Sequence, residues 1–194
     1  MAALVIAAGL DVTGVAQADP AGQMYGDPAG AAQFWRYQHN QDCGLMAVAD
    51  VVGQVTGREP PQSMIQLRGR FTKSSAHQGA IYRFDGTSPE DLVVMLQQFN
   101  IGSQLTTGNS MAGMEQDLAA GHQLIAARNA ETIWNTDGDR SQPDHAVVVT
   151  GIDTGAKVVH LNDSGIPTGR DEQIPMAVFD QAWSASNNEI IVTT

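Results

Sequence analysis

A chain of 194 residues, 42% hydrophobic and 16% charged, is long enough to bury one sizeable core and too apolar to stay disordered. Its formal net charge of -11 repels phosphate backbones, which argues against nucleic acid and anionic membrane surfaces as partners. The run Ala2 to Leu10 is almost wholly apolar, and Ala16-Gln17-Ala18 sets small residues at the two positions a signal peptidase reads. A bilayer span needs about 20 apolar residues, more than this run holds. Residues 1–18 are therefore expected to be a signal peptide cut before Asp19, and the mature protein to be secreted or held at the cell envelope without membrane insertion. Residues 19–32, rich in Ala, Gly, Asp and Pro, read as a flexible leader, and residues 33–194 as one folded domain.

Beyond the polar stretch Gln38 to Asp42, the spacing of Leu45, Val48, Ala49 and Val52 predicts a helix facing a core. It starts at or near Asp42, a favoured N-cap residue, and stops at Gly57. Met64 to Leu67 reads as a short helix and residues 71–87 as an irregular loop. Ser88-Pro89 opens a helix running to Phe99, with Ser88 as its cap, and another fits Met111 to Ala120. The period then changes: His122 to Ala127, His145 to Gly151, Lys157 to Asn162 and Glu189 to Thr193 are short apolar or β-branched runs parted by turn residues. The expected class is α+β, helices first and an antiparallel sheet second.

The chain has a single cysteine, which closes no internal disulfide. Most free cysteines are small buried hydrophobes, but Cys43 stands in the first turn of an apolar helix, behind a polar loop. Partial positive charge and unpaired amides at a helix N-terminus favour a thiolate. A thiol with a pKa near 8.5 is only a few per cent thiolate at pH 7, so a base is required. His145, where the polar turn Gln142-Pro143-Asp144 enters an apolar strand, is the best placed. Asp163, ending the next strand, can fix the imidazole tautomer, with Asn162 as the competing orienter. A glutamine shortly before Cys43 can donate to a developing oxyanion, and Gln38 is better placed than Gln41.

The stretch Tyr37 to Gly57 and the segment Asp144 to Gly165 resemble the papain-fold bacteriocin-processing (double-glycine) peptidases and their stand-alone relatives, a similarity covering most of residues 33–194. The resemblance implies Cys43 as nucleophile, His145 as base, Asp163 as orienter and Gln38 as oxyanion donor. It also implies a papain-like α+β fold with the Cys helix packed on the sheet.

No cofactor or metal is expected. The five histidines show no helix-ligand pair, and Asp137-Gly138-Asp139 lacks the other ligands of a calcium loop. Trp35, Trp134 and Trp183 read as packing groups, and the loops 71–87 and 129–143 as walls or lids of a substrate groove. The expected activity is hydrolysis of a peptide or other amide through a thioester. A non-catalytic secreted binding module on the same fold, and an acyltransferase using the same triad, are the alternatives.

Overall fold

The computed structural model describes residues 22–83 and 86–194. The expected signal peptide, residues 1–18, lies outside the described residues, as does the start of the expected leader. From residue 22 onward that leader is not loose. Met24–Gly26 forms β1, antiparallel to the far end of β4 (His145–Asp153), with Gly26 opposite Gly151. Pro28–Ala31 follows as α1, its first turn capped by the Asp27 carboxylate accepting from the Gly30 N–H. The Ala- and Gly-rich composition that suggested flexibility instead allows close approach. A Cβ on Gly151 would stand 2.6 Å from the Pro28 ring.

The Cys helix is α2, Cys43–Thr56, ended by Gly57 in the left-handed region at φ +74°. Asp42 precedes it but does not cap it. Its carboxylate accepts from Gln62 and Gln66 (2.6 Å each), two side-chain amides of α3 (Gln62–Phe71) that share one oxygen. At ten residues, α3 is longer than the expected Met64–Leu67. Ser88 likewise stands before α4 (Pro89–Gln97) without a side-chain capping bond.

Helices and strands are interleaved rather than segregated. β2 (Ser103–Thr106), α5 (Met111–Ala119), β3 (Leu124–Arg128) and α6 (Ala130–Trp134) come before β4. β5 (Val158–Asn162), β6 (Glu172–Pro175), α7 (Met176–Ser184) and β7 (Ile190–Thr193) follow it. The strands form one antiparallel sheet in the order β2-β7-β3-β4-β5-β6, with β1 continuing the β3 side of β4.

The sheet is covered on both faces. Ile125, Val148 and Ile191 pack with α2, α3 and α4, while Leu124, Ala126, Val147 and Val149 pack with α5, α7 and Ile133 of α6. Successive residues of a strand point to opposite faces, so burial of both faces makes β4 apolar throughout instead of alternating. α2 is fastened through Asp50, whose carboxylate accepts from Asn162 of β5 (2.7 Å) and Gln54 (2.7 Å). That bond helps set the Cys43 end of the helix against the ends of β4 and β5.

Candidate active site

Three elements converge at the site: the N-terminus of α2, the first residue of β4 and the residue after β5. Cys43 is half-buried. Burial pushes its thiol up, but hydrogen bonding and charge from His145, with the N–H groups of Ala146 and Gly44, outweigh that and hold it below the ordinary value. His145 opens β4 and meets Asp163 Oδ1 through Nε2 at 2.6 Å, which leaves Nδ1 for Cys43. Burial disfavours the imidazolium, yet the bonds to Asp163 and Cys43 raise its pKa to about 9.

Asp163 is fully buried and saturated with donors. Oδ1 accepts from His145 and from the Gly165 N–H (2.7 Å), and Oδ2 from Trp134 Nε1 (3.0 Å) and from Arg128 Nη2. Burial alone would raise this carboxyl; His145, the Arg128 charge and the Gly165 N–H hold it at about 2. The Asp163 carbonyl is taken by Trp35 Nε1 at 2.6 Å. Asn162, the competing orienter, is turned away: its amide donates to the Ala31 carbonyl (2.9 Å) and to Asp50. The alternation of a strand puts these neighbours on opposite sides.

Gln38 is pinned to the segment that carries Asp163. Its N–H donates to the Ser164 carbonyl (2.9 Å), and its Oε1 accepts from Ser164 Oγ (2.8 Å). Its Nε2 donates to the Asn40 carbonyl at 3.1 Å. Gln38 and Gln41 both border a cleft of about 690 Å³ that passes Cys43 and His145. Leu92, Leu105, Ile125 and Ile191 give the cleft an apolar floor. Both irregular stretches contribute to its walls: His77 and Arg83 from 71–87, Trp134 and Pro143 from 129–143. The second stretch begins with α6 rather than being irregular throughout.

Sequence reasoning missed three residues. Arg128 lies one place beyond the expected end of its strand, yet its side chain is wholly buried against Asp163. Trp134 is more than a packing group, since its ring lies 5.2 Å from the His145 ring while its N–H reaches Asp163. Glu172 approaches the same carboxylate from β6. Nothing local marks Arg128 or Glu172; only the cross-strand register brings them in. Trp183 is a packing group, wholly buried in the core. Among the described residues, no three His, Cys, Asp or Glu side chains gather as a metal cage.

A cysteine at the head of a helix seated on an antiparallel sheet, with a histidine opening one strand and a carboxylate ending the next, defines the papain-like α+β architecture of cysteine peptidases. The Peptidase_C39 like family model matches residues 10–191, and the chain belongs to that family. An uncharacterized protein of Mycobacterium tuberculosis (strain H37Rv) is 44% identical over 220 residues, spanning 100% of this chain and 95% of the relative. An uncharacterized protein of Mycobacterium bovis matches to the same extent.

Among solved structures, a Bacillus anthracis protein described as a C39-like peptidase superposes with a TM-score of 0.65 at 17% identity, over 89% of this chain and 98% of that one. The peptidase domain of Streptococcus ComA, a bifunctional ABC transporter, gives 0.58 at 16% identity, over 82% of this chain and 96% of that one. A double-glycine motif protease from a transporter, solved with its leader peptide, gives 0.52 at 13%, over 81% and 88%. At these identities the likeness is one of fold.

Proposed function

We propose that this protein is an exported cysteine peptidase that cleaves a peptide amide with Cys43 as nucleophile, His145 as acid and base, and Asp163 as orienter. The observation that carries the reading is the position of His145, bonded through one ring nitrogen to Asp163 and offering the other to Cys43. A thiol held low and an imidazole held high, side by side, favour a thiolate–imidazolium pair at neutral pH.

In the proposed reaction the Cys43 thiolate attacks the scissile carbonyl carbon, and the negative charge moves to the carbonyl oxygen. The Cys43 backbone N–H and the Gln38 amide are the donors proposed for that oxyanion. The C–N bond breaks as His145 gives its proton to the leaving nitrogen, which leaves a thioester on Cys43. His145 then takes a proton from water, the hydroxide displaces Cys43 from the acyl group, and the acid product departs. Membership of a C39-like peptidase family, and a neighbour of the same fold solved with a leader peptide, support a peptide as substrate. The apolar floor of the cleft suits a peptide with apolar side chains beside the cleaved bond.

The first test is iodoacetamide alkylation of Cys43 against pH, for wild type and for His145→Ala. Labelling that persists well below pH 7 and collapses in the variant is expected. Labelling that begins only above about pH 8 in the wild type would overturn the triad and bring the binding-module reading forward. Mass spectrometry of peptide products formed with and without an added amine then separates hydrolysis from acyl transfer.

A further inference from the structure

Arg128 ends β3 directly opposite His145 in the β3–β4 register. No part of its side chain reaches solvent. Its Nη2 bonds Asp163 Oδ2, its Nε and Nη1 are buried with no hydrogen-bond partner, and its guanidinium carbon lies 5.3 Å from the centre of the Trp134 ring. Stability does not account for such a residue. Buried ion pairs are often replaced by apolar side chains at no loss, and unsatisfied N–H groups add to the cost.

The reason lies on the next strands. Glu172 of β6, in register with Leu161 of β5, brings a second carboxyl close to both Asp163 and Arg128, and its Oε2 is buried without a partner. Two carboxyls held together do not both ionise freely, and such a pair tends to share a proton. A proton on Asp163 would remove the charge that steadies the His145 imidazolium.

We infer that Arg128 is a positioning residue whose guanidinium reserves the negative charge of the Asp163–Glu172 pair for Asp163, leaving the shared proton on Glu172 and Asp163 Oδ1 as a permanent acceptor for His145. The inference rests on the triad reading above. Its physical basis is that Arg128 touches Asp163 directly, so ionising Asp163 forms the closer ion pair. Asp163 lies at about 2, while burial and the Asp163 charge push Glu172 up to about 7.

The charged groups facing this centre come from every neighbouring element. Asp163 meets His145 of β4 and Arg128 of β3, with neutral donors from Trp134 and Gly165, and its charge acts on Glu172 of β6. Arg128 also feels Asp144 and Cys43, and His145 feels Cys43.

The test is the pH dependence of Cys43 alkylation by iodoacetamide in the wild type, Arg128→Met and the double variant Arg128→Met/Glu172→Gln, each checked for native circular dichroism. In Arg128→Met the midpoint of the acid limb is expected to move up by about one pH unit, a tenfold loss of labelling at pH values below the wild-type midpoint. Removing the second carboxyl in the double variant is expected to restore the limb to near its wild-type position. An Arg128→Met limb that matches the wild type, or a double variant as impaired as the single, overturns the role of Arg128 and leaves the triad standing. A wild type whose alkylation begins only above about pH 8 overturns both.

Should Arg128→Met not fold, carbon-13 NMR of the carboxyls in the wild type decides, with assignments from Asp163→Asn and Glu172→Gln. Glu172 is expected to titrate near neutrality while Asp163 stays ionised through pH 4–6. The opposite order overturns the inference.

Discussion

Gln38 and Cys43 serve separate parts of the proposed reaction, and single substitutions can separate them. The pairing of Cys43 with His145 makes the nucleophile, whereas the Gln38 amide bears only on the charge that develops on the carbonyl oxygen. Gln38→Ala is therefore expected to lower kcat by about 10²–10³, the usual cost of losing one oxyanion donor. The pH profile of Cys43 alkylation should stay in place. A profile that shifts with the turnover would mean that Gln38 acts by holding Ser164, and through it the Asp163 segment, instead of by donating to substrate. The choice between Asp163 and Asn162 lay open in the sequence because both are short polar groups at a strand end. Which of the two faces His145 follows from the pleat of β5, and the pleat is fixed only once β5 has paired with β4.

At the level of elements, the Asp50–Asn162 bond is the polar fastening between α2 and the sheet, and it carries a titration of its own. Burial raises the Asp50 carboxyl to about 7, against the donors Gln54 and Asn162 and with some help from Glu59. A carboxyl whose folded pKa exceeds the ordinary value near 3.8 stabilises the fold fully below that value, and the contribution is lost as pH rises through 7. Shifted by about three units, the group represents on the order of 4 kcal/mol. Asp50→Asn is expected to flatten the dependence of unfolding free energy on pH between 4 and 8, measured by urea denaturation at fixed temperature. An unchanged slope would mean that Asp50 ionises in the native state at no cost. Helix periodicity located α2 nearly to the residue, because its apolar stripe is local information. α7 and β6 have no such local signature, because their buried residues, such as Ile174 and Phe179, gain a pattern only from the far face of the sheet they cover.

For the whole molecule, export is the proposal that the sequence supports most directly, through the apolar run at 2–10 and the Ala-Gln-Ala before Asp19. Amino-terminal sequencing of the protein recovered from culture medium or cell envelope is expected to begin at Asp19, a few residues ahead of β1. Recovery only from cytoplasm with residues 1–18 retained would refute it. Sequence alone determined the broad α+β class, the Cys helix, the strands that carry His145 and precede Asp163, and the candidate chemistry. Each of these depends on neighbours within a few positions: a helical stripe, a strand run, a polar turn. Tertiary structure decided the rest. It interleaved the helices with the strands so that the sheet is covered on both faces, and it drew residues 22–32, read as a loose leader, into the edge of β4. It also turned Asn162 away and brought Arg128, Trp134 and Glu172 around Asp163. These side chains come from separate strands and a helix, and strand pairing across long stretches of chain is what brings them together.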